Sequence, residues 1–412
     1  MMSNTIAPTS LLVACAMLLA CDGGARSSQS TAEASAHVAA GASEAHARGE
    51  VGPPPPEQVA YLELDTSFYE KYLSAGGLAI VSSAQVSDYA LHEAAYLVDQ
   101  VLAGRDDLRA ALVHGRVRVV VMAPTEFTTD VPEHRDLQPK AHWDMRARGL
   151  GPGEEGTVIS CGEENLLARA GDPYAGESIF IHEFAHAVHE RALLVIEPDF
   201  RARLQATYDA ARAAGLWEGT YAGSSPIEYW AEAVQSWYGT NAENTHDHNH
   251  VNTREELRAY DPGLAALVEA AHGDRAWRYT QPTARLSEGH LRGYDPSAAA
   301  PFAWPASVVA AFEAHERGEG LEQVLPLPAG SPRRSSGTST ATTVRFVNSS
   351  QVEVVLDWLD ESGQAQEYAR IAPGASHEQS THAGNLWRVR DLAGVEIAVY
   401  AATATPGLVR IE

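Results

Sequence analysis

"IHEFAHAVHERA", Ile181 to Ala192, sets two histidines four residues apart with a glutamate beside the first. On a helix, residues i and i+4 lie about 40° apart around the axis and ~6 Å along it. His182 and His186 can therefore turn both imidazoles toward one ion. Glu183, rotated by about 100°, cannot join them as a ligand but can reach a water held there. That is the H-E-x-x-H arrangement of zinc hydrolases. His189 lies ~10.5 Å beyond His182 on a continuous helix, too far to share a metal with Zn–N bonds of ~2.0–2.1 Å. It is expected at the surface or behind the ligands.

A third ligand must come from elsewhere, and "SSPIEYWAEAVQSWYG" supplies a second helix with Ser225 and Pro226 at its start. Ile227, Trp230, Ala231, Val234, Trp237 and Tyr238 form its apolar stripe. Glu228 and Glu232, four apart, share the neighbouring face, and either could ligate. Ser225-x-x-Glu228 also fits a capping box, which would engage Glu228 with backbone instead. Spacing alone leaves the two glutamates equal.

"HEFAH", followed by Tyr221 seven residues before Glu228 in "YAGSSPIEYWAEA", resembles the zinc peptidase domain of anthrax lethal factor and its bacterial and fungal relatives. The Pro-Pro endopeptidases of clostridia share the pattern. The resemblance is confined to the window spanning these two helices. It implies a zinc ion on His182, His186 and Glu228, with Tyr221 as an active-site hydroxyl. Glu183 would then be the general base in peptide hydrolysis, and Glu232 would orient a ligating imidazole.

Around this window the pattern alternates. "SDYALHEAAYLVDQVLAG" reads as a helix, "RVRVVVMA" from Arg116 and "GTVIS" before Cys161 as strands, which makes an α+β domain. "TTDVPEHRDL" and "WDMRARGLG" are candidate cleft linings, with solvated loops holding an internal ion pair as the equal alternative. Cys161 reads as a buried thiol, with a thiolate switch on zinc as the alternative. "HDHNH", His246 to His250, reads as a polar surface loop, with a second metal as the alternative. After Thr342 short alternating strands point to a small all-β sandwich. Stretches poor in core formers bound these parts, at residues 22–57 and 328–342. The expected domains are 58–327, zincin-like, and 343–412, all β.

The tail, from "VRFVNSSQVEVVLDWLDESG" to "AGNLWRVRD", is similar to the β domain of the von Hippel–Lindau family through Asn348, Trp358, Gly363, Tyr368, Pro373, Gly384, Trp387 and Asp391. In that family the domain binds a hydroxyproline peptide. The matching positions here are Tyr368, Thr381, Asn385 and Trp387. Thr381 and Asn385 stand where the family has serine and histidine, which puts the need for hydroxylation in doubt. The alternative is that Trp358 and Trp387 only pack the sandwich.

A net charge of −24 disfavours nucleic acid and basic-patch membrane binding. "LLVACAMLLA" has signal-peptide length, and Leu18-Leu19-Ala20-Cys21 resembles a bacterial lipobox. It implies cleavage after residue 20, lipidation of Cys21 and a lipoprotein of the cell envelope; plain secretion is the alternative. Of Cys15, Cys21 and Cys161, only Cys161 stays in the folded part. The expected molecule is an extracytoplasmic zinc endopeptidase acting on protein or peptide substrates, proline-rich ones included. The rival is a surface binding protein with a degenerate peptidase domain, against which intact His182, Glu183, His186, Tyr221 and Glu228 weigh.

Overall fold

The valine run after Arg116 forms the middle of a five-stranded sheet. The strands are β1 (Lys71–Ala75), β2 (Leu78–Ser82), β3 (Arg118–Met122), β4 (Gly149–Leu150) and β5 (Val158–Gly162), in the order β1-β2-β3-β5-β4. β2, β3 and β5 run parallel, while β1 and β4 are antiparallel edges. All residues of β3 are buried, as expected of a parallel strand covered on both faces. The computed structural model describes residues 49–153, 156–287 and 289–412. The expected signal segment, Cys21 and the tether as far as residue 48 lie outside the described residues.

The helices of this part are α1 (Pro56–Leu62), α2 (Asp88–Val101), α3 (Asp106–His114), α4 (Lys140–Arg146), α5 (Glu163–Leu166), α6 (Ile179–Val188), α7 (Leu194–Ile196), α8 (Phe200–Ala213), α9 (Pro226–Tyr238), α10 (Arg254–Tyr260), α11 (Pro262–His272) and α12 (Ala306–Glu316). α6 carries the H-E-x-x-H residues between β5 and α9. Its start is capped by Ser178, whose Oγ accepts from the Ile181 N–H at 3.4 Å. The motif helix does not run straight on as expected. After Val188 it widens into one π turn, His189–Leu193, before α7. His189 is only 2% exposed and packs against Phe200 and Trp230, so of its two expected places the surface is ruled out and the interior remains.

The C-terminal part is the expected all-β sandwich. Its strands are β6 (Glu322–Gln323), β7 (Ala341–Asn348), β8 (Val354–Leu359), β9 (Ala365–Ile371), β10 (Ser376–His382), β11 (Leu386–Asp391), β12 (Glu396–Ala401) and β13 (Gly407–Ile411). They form two sheets, β10-β7-β13-β6 and β12-β11-β8-β9. Alternation along β7, β8 and β11 sends Val344, Phe346, Leu356, Trp387 and Val389 into one core. The chain is thus an α+β unit followed by an all-β unit.

The stretch read as a linker hugs this sandwich. Ser335 is buried; its hydroxyl donates to the Leu359 carbonyl and accepts from the Leu386 N–H at 2.9 Å and the Trp358 indole N–H at 3.0 Å. β6, which precedes that stretch, pairs with β13. α12 packs on α4, and Arg345 of β7 donates to both Glu316 oxygens at 2.7 Å.

Candidate metal centre

Two helices build the site. α6 presents His182 and His186 on one face; α9 presents Glu228, Glu232 and Gln235 at i, i+4 and i+7. Ser225 caps α9 by accepting the Glu228 backbone N–H at 3.2 Å, which leaves the Glu228 carboxylate free. That carboxylate turns to α6. Glu228 Oε2 lies 3.0 Å from His182 Nε2 and 3.4 Å from His186 Nε2, and the two Nε2 atoms are 3.1 Å apart.

These spacings test a metal. Ligand atoms around a tetrahedral zinc with bonds of about 2.0–2.2 Å stand roughly 3.4 Å from one another. Two nitrogens and one oxygen at 3.0–3.4 Å fit, and each of the three residues is 6% exposed. Two imidazole nitrogens pointed at each other repel as lone pairs unless a proton or cation lies between them. Without an ion, burial opposes charging His182, and hydrogen bonds to Glu228 and Glu232 overcome it and lift its pKa. Burial likewise pushes Glu228 up, and the charges of His186 and His182 pull it well below the usual carboxylate range. The site is built for positive charge.

Glu183, on the same helix, leaves this cluster and faces the β4 segment. Burial pushes its carboxyl up, against the pull of His182 and His186. The backbone comes close there. A Cβ on Gly149 would sit 2.3 Å from the Ile179 side chain, and one on Gly151 would sit 3.1 Å from Glu183 Oε2. Tyr221, in a short 3-10 turn, lays its ring 6.0 Å from that of His182 in a stacked pose. His182, Glu183, His186, Tyr221 and Glu228 all line one cleft of about 470 Å³. Of the two stretches expected at the cleft, Glu133, His134 and Leu137 of the first and Trp143, Arg146 and Gly149 to Gly151 of the second line it.

Glu232 is not the nearest partner of a ligating imidazole. His182 Nδ1 is 2.8 Å from Gln235 Oε1 and 3.4 Å from Glu232 Oε1. Gln235 is held in turn, its amide donating to Glu177 Oε2 at 3.1 Å and the Ser178 carbonyl at 3.3 Å. The signal for Gln235 was available, since it lies seven residues after Glu228 on the same face. Cys161 is a buried thiol in the core on β5, where burial raises its pKa. Among the described residues it stands in none of the groups that could share a metal, which favours the buried-thiol reading over the switch. His248 departs from the expected surface loop: its side chain is 12% exposed and its Nε2 lies 3.3 Å from Glu232 Oε2.

In the sandwich, Tyr368, Thr381, Asn385 and Trp387 do come together. Thr381 Oγ1 accepts from the Asn385 amide at 3.1 Å and from the Trp387 indole at 3.2 Å. Trp387 is fully buried, and the half-buried Tyr368 meets its ring edge-on at 5.1 Å. The donors are therefore satisfied internally.

Residues 333–400 match the family model of the VHL beta domain, so the resemblance read from the tail holds for the C-terminal part. No curated protein matches the chain. Among solved structures, the Pro-Pro endopeptidase from Paenibacillus alvei is similar at 19% identity and a TM-score of 0.25, over 43% of this chain and 89% of its own. Among the described residues no helix is long and apolar enough to cross a membrane.

Proposed function

We propose that the chain is an extracytoplasmic zinc-dependent endopeptidase, anchored through a lipid on Cys21, with a C-terminal module that recognises substrate or partner. The observation that carries it is the convergence of His182, His186 and Glu228 beside Glu183 and Tyr221 in one cleft. Zinc, when bound there, supplies a Lewis acid and lowers the pKa of a bound water toward neutrality. Glu183 takes the proton from the attacking water, and its burial-raised carboxyl suits it to pass that proton to the leaving amine. Tyr221 donates its hydroxyl to the carbonyl oxygen as negative charge develops on it. The outer edge of β4 offers backbone groups to an extended peptide. The lethal factor resemblance of "HEFAH" and "YAGSSPIEYWAEA" points the same way, and a proline-rich ligand for the tail follows from the VHL likeness.

Glu183→Gln tests the reading: zinc content should stay at the wild-type level while peptide cleavage falls by at least ~100-fold. Tyr221→Phe should keep zinc and lower kcat more than it changes KM. An active Glu183→Gln variant removes the proposal.

A further inference from the structure

Glu232 is left over once Gln235 has taken the His182 Nδ1–H. Its Oε1 keeps only the long 3.4 Å contact with His182 Nδ1, although the residue is 2% exposed. Its Oε2 accepts from the Asn241 amide at 3.0 Å and lies 3.3 Å from His248 Nε2, a buried atom with no other partner. Glu177 completes the group from the turn before α6, and one ligand atom from each of Glu177, Glu232 and His248 lies within 4.8 Å of the others. Two carboxylates and one imidazole thus converge on a small volume on the far side of His182 from the cleft.

The imidazole is set up to ligate. Thr245 Oγ1 sits 2.8 Å from His248 Nδ1. With that nitrogen donating to the hydroxyl, Nε2 carries the free lone pair, as in metal-bound histidines held from behind. A buried carboxylate, Glu232, with the half-buried Glu177 so near it also calls for a compensating cation.

We propose that Glu177, Glu232 and His248 form a second metal site that takes a divalent transition ion. An imidazole among the ligands selects zinc or another late transition ion over calcium, magnesium and manganese. The ion ties down the loop that carries His248. That loop has a direct hold on the catalytic side, because the Asp247 carbonyl accepts the Tyr221 backbone N–H at 2.7 Å. The site therefore acts as a positioning device for Tyr221, a role that rests on the peptidase reading; the ion itself does not.

Metal-stripped full-length chain is titrated with zinc and counted by elemental analysis after desalting. Wild type is expected to hold two ions per chain. His248→Ala and Glu177→Gln should each hold one, and His186→Ala should also hold one, the second ion. Near-ultraviolet dichroism checks that each variant is folded, and Glu177→Gln serves if His248→Ala is not. One ion in wild type and none in His186→Ala overturns this proposal and leaves the catalytic site standing, with an imidazolium of His248 balancing the carboxylates. One ion in wild type, retained in His186→Ala but lost in His248→Ala, instead overturns the catalytic assignment. Two ions retained in both His248→Ala and Glu177→Gln place the second ion elsewhere and overturn the assignment of Glu177, Glu232 and His248. In His248→Ala, kcat should fall several-fold with KM little changed; an unchanged kcat removes the positioning role.

Discussion

Replacing Gln235 with leucine separates the group that orients the metal ligand from the one that merely stands near it. His182 Nδ1 has Gln235 Oε1 at 2.8 Å and otherwise only Glu232 Oε1 at 3.4 Å. Leucine fills a similar volume but leaves the N–H with the longer contact, inside a site where His182 is 6% exposed. An unpaired buried donor costs about 1–3 kcal/mol. Removing the partner of a ligating histidine typically weakens metal binding 10- to 100-fold, or about 1.4–2.7 kcal/mol, so the two figures agree. The assay is peptide cleavage in chelator-buffered zinc, read as the free zinc giving half-maximal rate. That midpoint should rise 10- to 100-fold in Gln235→Leu, with the rate largely restored at saturating zinc. Glu232→Gln should move it less than about threefold, because its carboxylate is not the nearest acceptor. If Gln235→Leu leaves the midpoint in place and Glu232→Gln shifts it tenfold, the assignment drawn from these distances is wrong.

Two further outcomes follow from burial. Burial holds the His189 pKa down at about 3, so folded His189 stays neutral while the unfolded chain takes up a proton below ~6.5. Its contribution is present above ~6.5 and lost as pH falls toward 3, at about 1.4 kcal/mol per pH unit. His189→Leu should flatten the fall in stability between pH 7 and 5 by one proton's worth in urea titrations; an unchanged slope refutes it. Trp387→Ala should destabilise the sandwich by about 3–5 kcal/mol, since the ring is fully buried. Thermal unfolding checks this with zinc content as control, and a loss under ~1 kcal/mol would make Trp387 a binding wall rather than core.

The order of domains and most elements of the chain could be read without coordinates, because they depend on local periodicity. The valine run of β3, the capped start of α9 and the alternating strands after Thr342 each state their element in a few residues. The i, i+4 spacing likewise paired His182 with His186, because helix geometry is the same in every fold. What lay beyond the sequence was how α6 and α9 cross. Spacing left Glu228 and Glu232 equal, and only the packing of the two helices puts Glu228 against both Nε2 atoms while Glu232 faces His248. Spacing left His189 either at the surface or behind the ligands, and the "HDHNH" stretch read as a surface loop. Yet a π turn follows the motif helix where His189 is buried, and a folded-back loop leaves the His248 side chain only 12% exposed. Those placements depend on contacts between residues far apart in the chain, which no local pattern encodes.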